Sequence, residues 1–434
     1  PPYIRSSNFS SQLKEHLDLL AIELDYPRNQ LRNSWPAFAL ACVPLLASGG
    51  TLAFVVPYEL ITVNYARSLI DRLLDQFARI DVFVPDEKAF CQIDQDAVLL
   101  VASKKLSASD GLHLNKVTSL SNLTPTRTSR VPATAASGNS TGMKSFLLES
   151  DQLELLHKIR ESIGKVGDVC TSAAGTVTAA NNFFILSQQD VERLELGVYA
   201  KPIIQKASYL NHRRRFGEAD FETLRQTGKP CFLLDFDTGT METLSKNARN
   251  YIAHGESLNL HLRYKCRHRT PWYKIPIVRS TDGFFFKRSH LLPRICSNTA
   301  GVLTTDTAYQ ITMKEGHDID DLCMSFYNSI TLLFSEIDGR FYGGGVLELT
   351  PNEFKGLPMH MLNFTPSRTQ NFENSFDQFC GDHDKLFGLA DNTLKMHLGL
   401  DDRHWIRLQV AHSTIRDHRL RHGSKPTKVN SLLR

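Results

Sequence analysis

The 434-residue sequence predicts an α/β fold, on three observations. Between residues 35 and 101 the apolar pattern switches from helical spacing to short continuous runs and back, in the order α-β-α-β-β, which belongs to an open α/β sheet. Residues 117–142 then turn abruptly to Ser, Thr, Pro and Gly with almost no large apolar side chain, the composition of a linker or extended arm. After about residue 150 short strands, turns and polar aromatic stretches follow one another irregularly to about Met361, as in a mixed α+β domain. At this length the chain has room for two domains, each with a substantial core.

Each element has its own local reason. Residues 38–46 form a helical run, with Gly49-Gly50 as its C-terminal cap. The run Leu52-Ala53-Phe54-Val55-Val56 has the continuous apolar character of a strand buried on both faces. Leu69, Leu73 and Phe77 recur at i, i+4 and i+8 on a helix, and further strands are expected at 80–83 and 97–101. Ser150 is a suitable N-cap for a helix carrying Leu153, Leu156, Ile159 and Ile163 on one face. Trp405, Leu408, Ala411 and Ile415 predict a terminal helix that runs into a basic tail, residues 416–434. The expected division is therefore an α/β part over 1–116, a linker over 117–148, a mixed domain over 149–365 and a helical extension over 366–434.

Composition excludes several classes. The chain is 41% hydrophobic and 22% charged, with a formal net charge of only +4, so a nucleic-acid surface must come from local clustering. Its eight cysteines include no Cys-x-x-Cys pair, which disfavours zinc and a disulfide framework and suits reduced thiols in the cytoplasm. No metal site is expected. The most apolar stretch, residues 43–57, is broken by Ser48-Gly49-Gly50 and is too short to cross a bilayer.

The motif that carries chemistry is Pro1-Pro2-Tyr3. Consecutive prolines hold a carbonyl in a fixed direction by locking φ, and the neighbouring ring offers a stacking face. An ordinary proline turn with a half-buried tyrosine satisfies the same residues. The tripeptide resembles the catalytic loop of amino-group DNA methyltransferases, Asn/Asp/Ser-Pro-Pro-Tyr/Phe. There a side-chain oxygen and a backbone carbonyl accept the N6 hydrogens of adenine, localising a lone pair that is otherwise delocalised into the ring. The base must leave the duplex to be reached. By this resemblance Pro1 supplies the carbonyl, Pro2 stiffens the loop and Tyr3 stacks on the base.

The resemblance continues in order. Trp35-Pro36-Ala37-Phe38 and Gly49-Gly50-Thr51-Leu52 are similar to the helix-turn-strand that follows the catalytic loop in γ-type adenine methyltransferases. It implies that Phe38 packs on the adenosine of S-adenosylmethionine; a core position on the helix is the other reading. Ala89-Phe90-Cys91-Gln92 resembles the segment whose Phe closes the base pocket opposite the tyrosine, so Phe90 and Tyr3 are expected within about 14 Å of each other. A core Phe at a strand end is its alternative.

A basic segment lies downstream. Residues 261–274 hold Arg263, Lys265, Arg267, Arg269 and Lys274 with Tyr264, Trp272 and Tyr273, and no acid. Cations interleaved with rings suit phosphates, base edges and stacking. On a strand the first four cations share one parity and one face. Arg213-Arg214-Arg215 is a smaller cluster with the look of a solvated face. The stretch 174–184, with Thr178 and Asn181, resembles the loop that opens the target-recognition domain of large adenine methyltransferases. Gly343, Gly344 and Gly345 resemble a later element of that domain, where amides could approach a phosphate; a tight turn needs the same glycines.

Together these motifs resemble the Eco57I-like, γ-ordered adenine-specific DNA methyltransferases of restriction-modification systems over residues 1 to about 360. The resemblance implies the C-terminal part of a Rossmann-like methyltransferase sheet followed by a target-recognition domain. It also implies S-adenosylmethionine as cofactor and double-stranded DNA as partner, and leaves an upstream nuclease open. The Gly-rich cofactor loop, the acidic ribose ligand and the catalytic Asn are expected before Pro1, and the piece alone is expected to be inactive. A DNA-binding specificity module without catalysis is the alternative. Protein-glutamine methyltransferases share the Pro-Pro-Tyr loop, but the roughly 280 residues after the linker argue against them.

Overall fold

The three expected strands form in the computed structural model, which describes residues 1–87, 89–90, 96–104, 110–131, 144–210, 213–236, 240–342, 344–364, 366–377 and 383–421. They are β1 (Thr51–Pro57), β2 (Arg79–Pro85) and β3 (Ala97–Ser103). The chain divides into two compact units. One comprises Pro1–Glu161, Leu333–Glu348 and Asp402–Arg434, and the other Ser162–Leu332 and Leu349–Asp401.

The first unit is built on a five-stranded mixed sheet, ordered β1-β3-β2-β4-β5, with β4 at Gly111–Val117 and β5 at Arg127–Val131. β3 runs antiparallel to both β1, where Pro57 faces Ala97, and β2, where Phe83 faces Leu99; β2 and β4 are parallel. The carboxyl ends of β1, β2 and β4 therefore leave the sheet at one end. β1 departs from the expected doubly buried strand. Leu52 and Val56 are buried while Ala53 is exposed, because β1 is an edge strand paired only with β3 among the described strands.

Three helices flank these strands in sequence: α1 (Ser11–Glu23), α2 (Ser34–Cys42) and α3 (Asn64–Leu74). The expected helix 38–46 starts earlier and ends at Cys42, where Val43–Leu45 tightens into a 3-10 turn. Pro44 has no amide to continue the ladder, and Gly49, at φ +74°, completes the reversal before β1. Leu69, Leu73 and Phe77 are buried as their spacing requires.

The 117–148 segment differs from a linker. β4 continues to Val117, β5 pairs with it in the register Leu112 to Val131, and residues 132–143 lie outside the described residues. Polar β5 side chains are tolerated because that strand ends the sheet. The later segments 333–348 and 402–421 join this unit for a physical reason. Arg160 holds Asp338 at 2.9 Å, and Lys144 donates to the Glu336 and Gly339 carbonyls. The terminal helix Asp402–Arg421 buries Trp405, Leu408, Ala411 and Ile415. The expected basic tail is not uniformly exposed either. Arg419 is buried, and residues 422–434 lie outside the described residues.

The second unit has two small sheets. One orders Cys170–Ala174, Ala308–Met313, Gly283–Phe286, Arg294–Asn298 and Arg215–Phe216; the other orders Leu303–Thr304, Ala200–Ile204, Phe232–Leu234 and Ile185–Leu186. An aromatic core of Phe183, Phe184, Phe236, Trp272 and Tyr273 packs beside the second. No helix among the described residues is long and apolar enough to cross a membrane.

Candidate catalytic loop and nucleic-acid interface

The Pro-Pro-Tyr segment is clamped onto the start of α2. The buried Ser34 hydroxyl donates to the Pro2 carbonyl at 2.5 Å and accepts from the Ile4 amide at 2.9 Å, while the Ser34 amide donates to the Ile4 carbonyl at 2.9 Å. The Tyr3 hydroxyl donates to the Val55 carbonyl on β1 at 2.7 Å. Burial raises the Tyr3 phenol above its ordinary pKa. The Pro2 carbonyl is thus engaged, and the Pro1 carbonyl has no partner among the described residues.

Two aromatic rings remain open in this unit. Phe38, on α2, is 47% exposed and Phe90 is 43% exposed, so neither is a core residue. Phe90 lies in the β2–β3 connection, which leaves the sheet at the end where β1 finishes. Cys91 and Gln92, the rest of that motif, lie outside the described residues.

In the second unit a cleft of about 1120 Å³ gathers four of the expected nucleic-acid residues: Thr178, Asn181, Arg263 and Lys265. Its first wall is the loop opening at Thr178, whose hydroxyl donates to the Asn181 side chain and whose backbone turns through Ala179 at φ +67°. Thr178 itself is buried, so it shapes the loop. Gly175 precedes it for a steric reason: a Cβ there would lie 2.3 Å from the Thr305 carbonyl. Arg263 reaches the Ala179 carbonyl at 3.3 Å, and Lys265 has no partner among the described residues.

The rest of the basic segment is not a strand with one charged face. Residues Leu260–Leu262 form a 3-10 turn and Tyr264–Arg267 a short helix, so the shared parity of the cations has no geometric meaning. Trp272 and Tyr273 are core residues, not stacking platforms. The Trp272 indole N–H donates to Glu256, and its ring abuts Gly255, where a Cβ would lie 2.6 Å away. Arg269 is structural: it donates to the Val177 and Thr178 carbonyls at 2.6 and 2.9 Å, and burial lowers its pKa. Arg267 stacks over the exposed Tyr264 ring at 5.3 Å. Lys274 is half-buried and outside the cleft lining.

Two further readings are refined: the solvated face holds for Arg213 and Arg215 but not for Arg214, and Gly344 and Gly345 take the tight-turn alternative. Arg214 is buried and paired with Asp320 and Glu373, and Arg215 and Arg213 pair with Asp320 and Asp220; this cluster fastens the fold. Gly344 and Gly345, at φ +80° and +71°, form the turn between the strands Arg340–Tyr342 and Val346–Glu348, and Arg419 takes the Gly345 carbonyl. They serve as a turn of the first unit. Gly343 lies outside the described residues.

The separation of roles within the basic segment has a direct test. Arg269→Ala removes two charge-assisted bonds to loop carbonyls and is expected to lower the stability of the second unit by about 1–2 kcal/mol. Arg267→Ala should leave it unchanged. Urea unfolding checks both, and equal midpoints for the two variants would remove the structural role of Arg269.

The family of the Type II methyltransferase M.Eco57I, C-terminal domain, matches residues 140–391. The chain belongs to this family. It is 23% identical over 382 residues to the Type II methyltransferase M.AccI of Acinetobacter calcoaceticus, covering 83% of this chain and 68% of M.AccI. The solved structure of the Type IIL restriction-modification enzyme MmeI in complex with DNA shares the fold with a TM-score of 0.58 at 10% identity. That match covers 96% of this chain and 56% of the MmeI chain, so the chain spans little more than half of that relative.

Within this M.Eco57I-like region the cleft also uses residues that the basic segment does not point to. The helix Lys246–Ser257 contributes Asn247, Asn250, Tyr251 and His254 to its wall. Their i, i+3, i+4, i+7 spacing is legible in the sequence, but a polar helical face reads equally as solvated surface. Three cations and three carboxylates line the cleft. Arg193 holds Asp190 at 2.7 Å and keeps its carboxyl below the usual range, and Asn247 donates to Glu195 at 2.6 Å.

Proposed function

We propose that the full-length protein containing this chain transfers a methyl group from S-adenosylmethionine to N6 of an adenine extruded from double-stranded DNA, within a restriction-modification system. The observation that carries this reading is the clamped Pro1-Pro2-Tyr3 loop, with its free Pro1 carbonyl and Tyr3 anchored to the edge strand of the sheet. The Pro1 carbonyl accepts an N6 hydrogen, directing the amino lone pair toward the methyl donor. Ser34 fixes the carbonyl's direction through Pro2 and Ile4, so no reorganisation is needed when the base arrives. Tyr3 and Phe90 hold the unstacked base between two rings. The cofactor supplies the electrophilic methyl, and the open ring of Phe38 suits contact with its adenine. Target recognition falls to the cleft of the second unit, whose fold is shared with a relative solved on DNA.

The test is methyl transfer by the full-length gene product from labelled S-adenosylmethionine to duplex DNA, followed by digestion to nucleosides. Label is expected in N6-methyl-deoxyadenosine. Label in a cytosine derivative would overturn the adenine assignment, and duplex binding without any label would return the chain to a specificity module.

A further inference from the structure

The helix Lys246–Ser257 is built to present one face rigidly. Its N-cap, Ser245, accepts from the Ala248 amide at 3.1 Å, and Ala248, Ile252 and Gly255 pack into the aromatic core. The Tyr251 hydroxyl donates to the Phe183 carbonyl at 2.7 Å. On the cleft face, Asn247 and Tyr251 are thus committed to neighbours. Asn250 and His254 are not. Both are exposed, both line the cleft, and neither side chain has a partner among the described residues.

The charge of the cleft indicates what it meets. Its three cations are matched by three carboxylates, so the wall lacks the excess positive charge that a run of phosphates would demand. An amide offers donors and an acceptor and an imidazole offers its ring nitrogens, groups that suit the donors and acceptors that base edges present in the major groove. The two residues are one helical turn apart, about 6 Å along the axis, close to two base steps of about 3.4 Å. A rigid helix with a free amide and a free imidazole at that spacing suits reading bases two steps apart.

We propose that Asn250 and His254 are specificity-determining residues that contact base edges of the duplex, Asn250 at an adenine, and that Lys265 makes a phosphate contact. This rests on the duplex-DNA reading above and deepens it.

The experiment selects bound sequences from a pool of randomised duplexes with the chain of residues 1–434, and follows with salt titrations on the selected duplex. Asn250→Ala and His254→Ala are each expected to lose preference at one position, by about five- to a hundredfold, with the salt slope unchanged. Asn250→Asp exchanges a donor for an acceptor and is expected to switch its position from adenine toward cytosine. Lys265→Ala is expected to keep the motif and lower the salt slope by about one. Retention of the complete wild-type motif by all three Asn250 and His254 variants would overturn this assignment while leaving duplex recognition intact. Failure of the wild-type chain to bind any duplex in a salt-dependent way would overturn the recognition reading itself.

Discussion

Arg419→Met is expected to destabilise the first unit by about 3–5 kcal/mol, because it strands a carboxylate in the interior. Arg419 and Glu336 are 1% and 2% exposed, and they pair through two bonds of 2.5 and 2.8 Å. Arg419 also holds the Gly345 carbonyl, while Lys144 sits 3.9 Å over the Phe341 ring and caps the Glu336 carbonyl at 3.0 Å. Removing the guanidinium leaves the Glu336 carboxyl without its partner at that depth. Removing both charges is different: the double variant Arg419→Met, Glu336→Leu is expected to regain most of the loss, since apolar replacements of a buried pair are often neutral. Urea unfolding read by hydrogen exchange over residues 333–348 and 402–421 measures it, with the second unit as internal reference. A single variant within about 1 kcal/mol of wild type, the scale of an exposed ion pair, would show that the pair carries little.

That buried pair also shows where sequence reading stops. Trp405, Leu408, Ala411 and Ile415 announce the terminal helix by spacing alone, but Arg419 sits within a run of basic residues and looks like part of a solvated tail. Glu336, 83 positions earlier, pairs with it and, with the Gly345 carbonyl, makes it an interior residue. The same limit governs the basic segment. Of the rings and cations in residues 261–274, only Arg263 and Lys265 line the cleft. Yet local composition cannot separate a ring that stacks on a base from one that fills a core. Trp272 is buried because Phe183 and Phe184 converge on it from about 90 positions earlier, beside His261 of its own segment. The strands β1, β2 and β3 were legible because short apolar-rich stretches bounded by turns mark strands, although the continuous run of β1 did not foretell its half-exposed edge position. The antiparallel placement of β3 between β1 and β2 was not, since pairing order leaves no mark on a single strand. Asn250 and His254 escaped for a further reason: exposed polar residues on a helix carry no signal until the cavity they border is known.

Tyr3 and Phe90 are expected to matter for methyl transfer through their rings, and the Tyr3 hydroxyl through position only. If each ring stacks on the extruded base, Tyr3→Ala and Phe90→Ala each forfeit about 1–3 kcal/mol, a loss of roughly ten- to a hundredfold in kcat/KM. The double variant loses both faces and is expected to fall more than about a hundredfold. Tyr3→Phe keeps the ring and gives up only the 2.7 Å bond to the Val55 carbonyl. That carbonyl lies on an edge strand, where water can replace the lost donor, so the cost is expected near 1 kcal/mol or below. The ordering Tyr3→Phe well above Tyr3→Ala distinguishes stacking from anchoring. A duplex with an abasic site opposite the target adenine adds a readout that a structural role would not move. Extrusion is then easier, and the alanine variants should recover part of their loss. Equal damage from Tyr3→Phe and Tyr3→Ala, with no recovery on that duplex, would make Tyr3 a strut for the loop and leave the base without its proposed stacking partner.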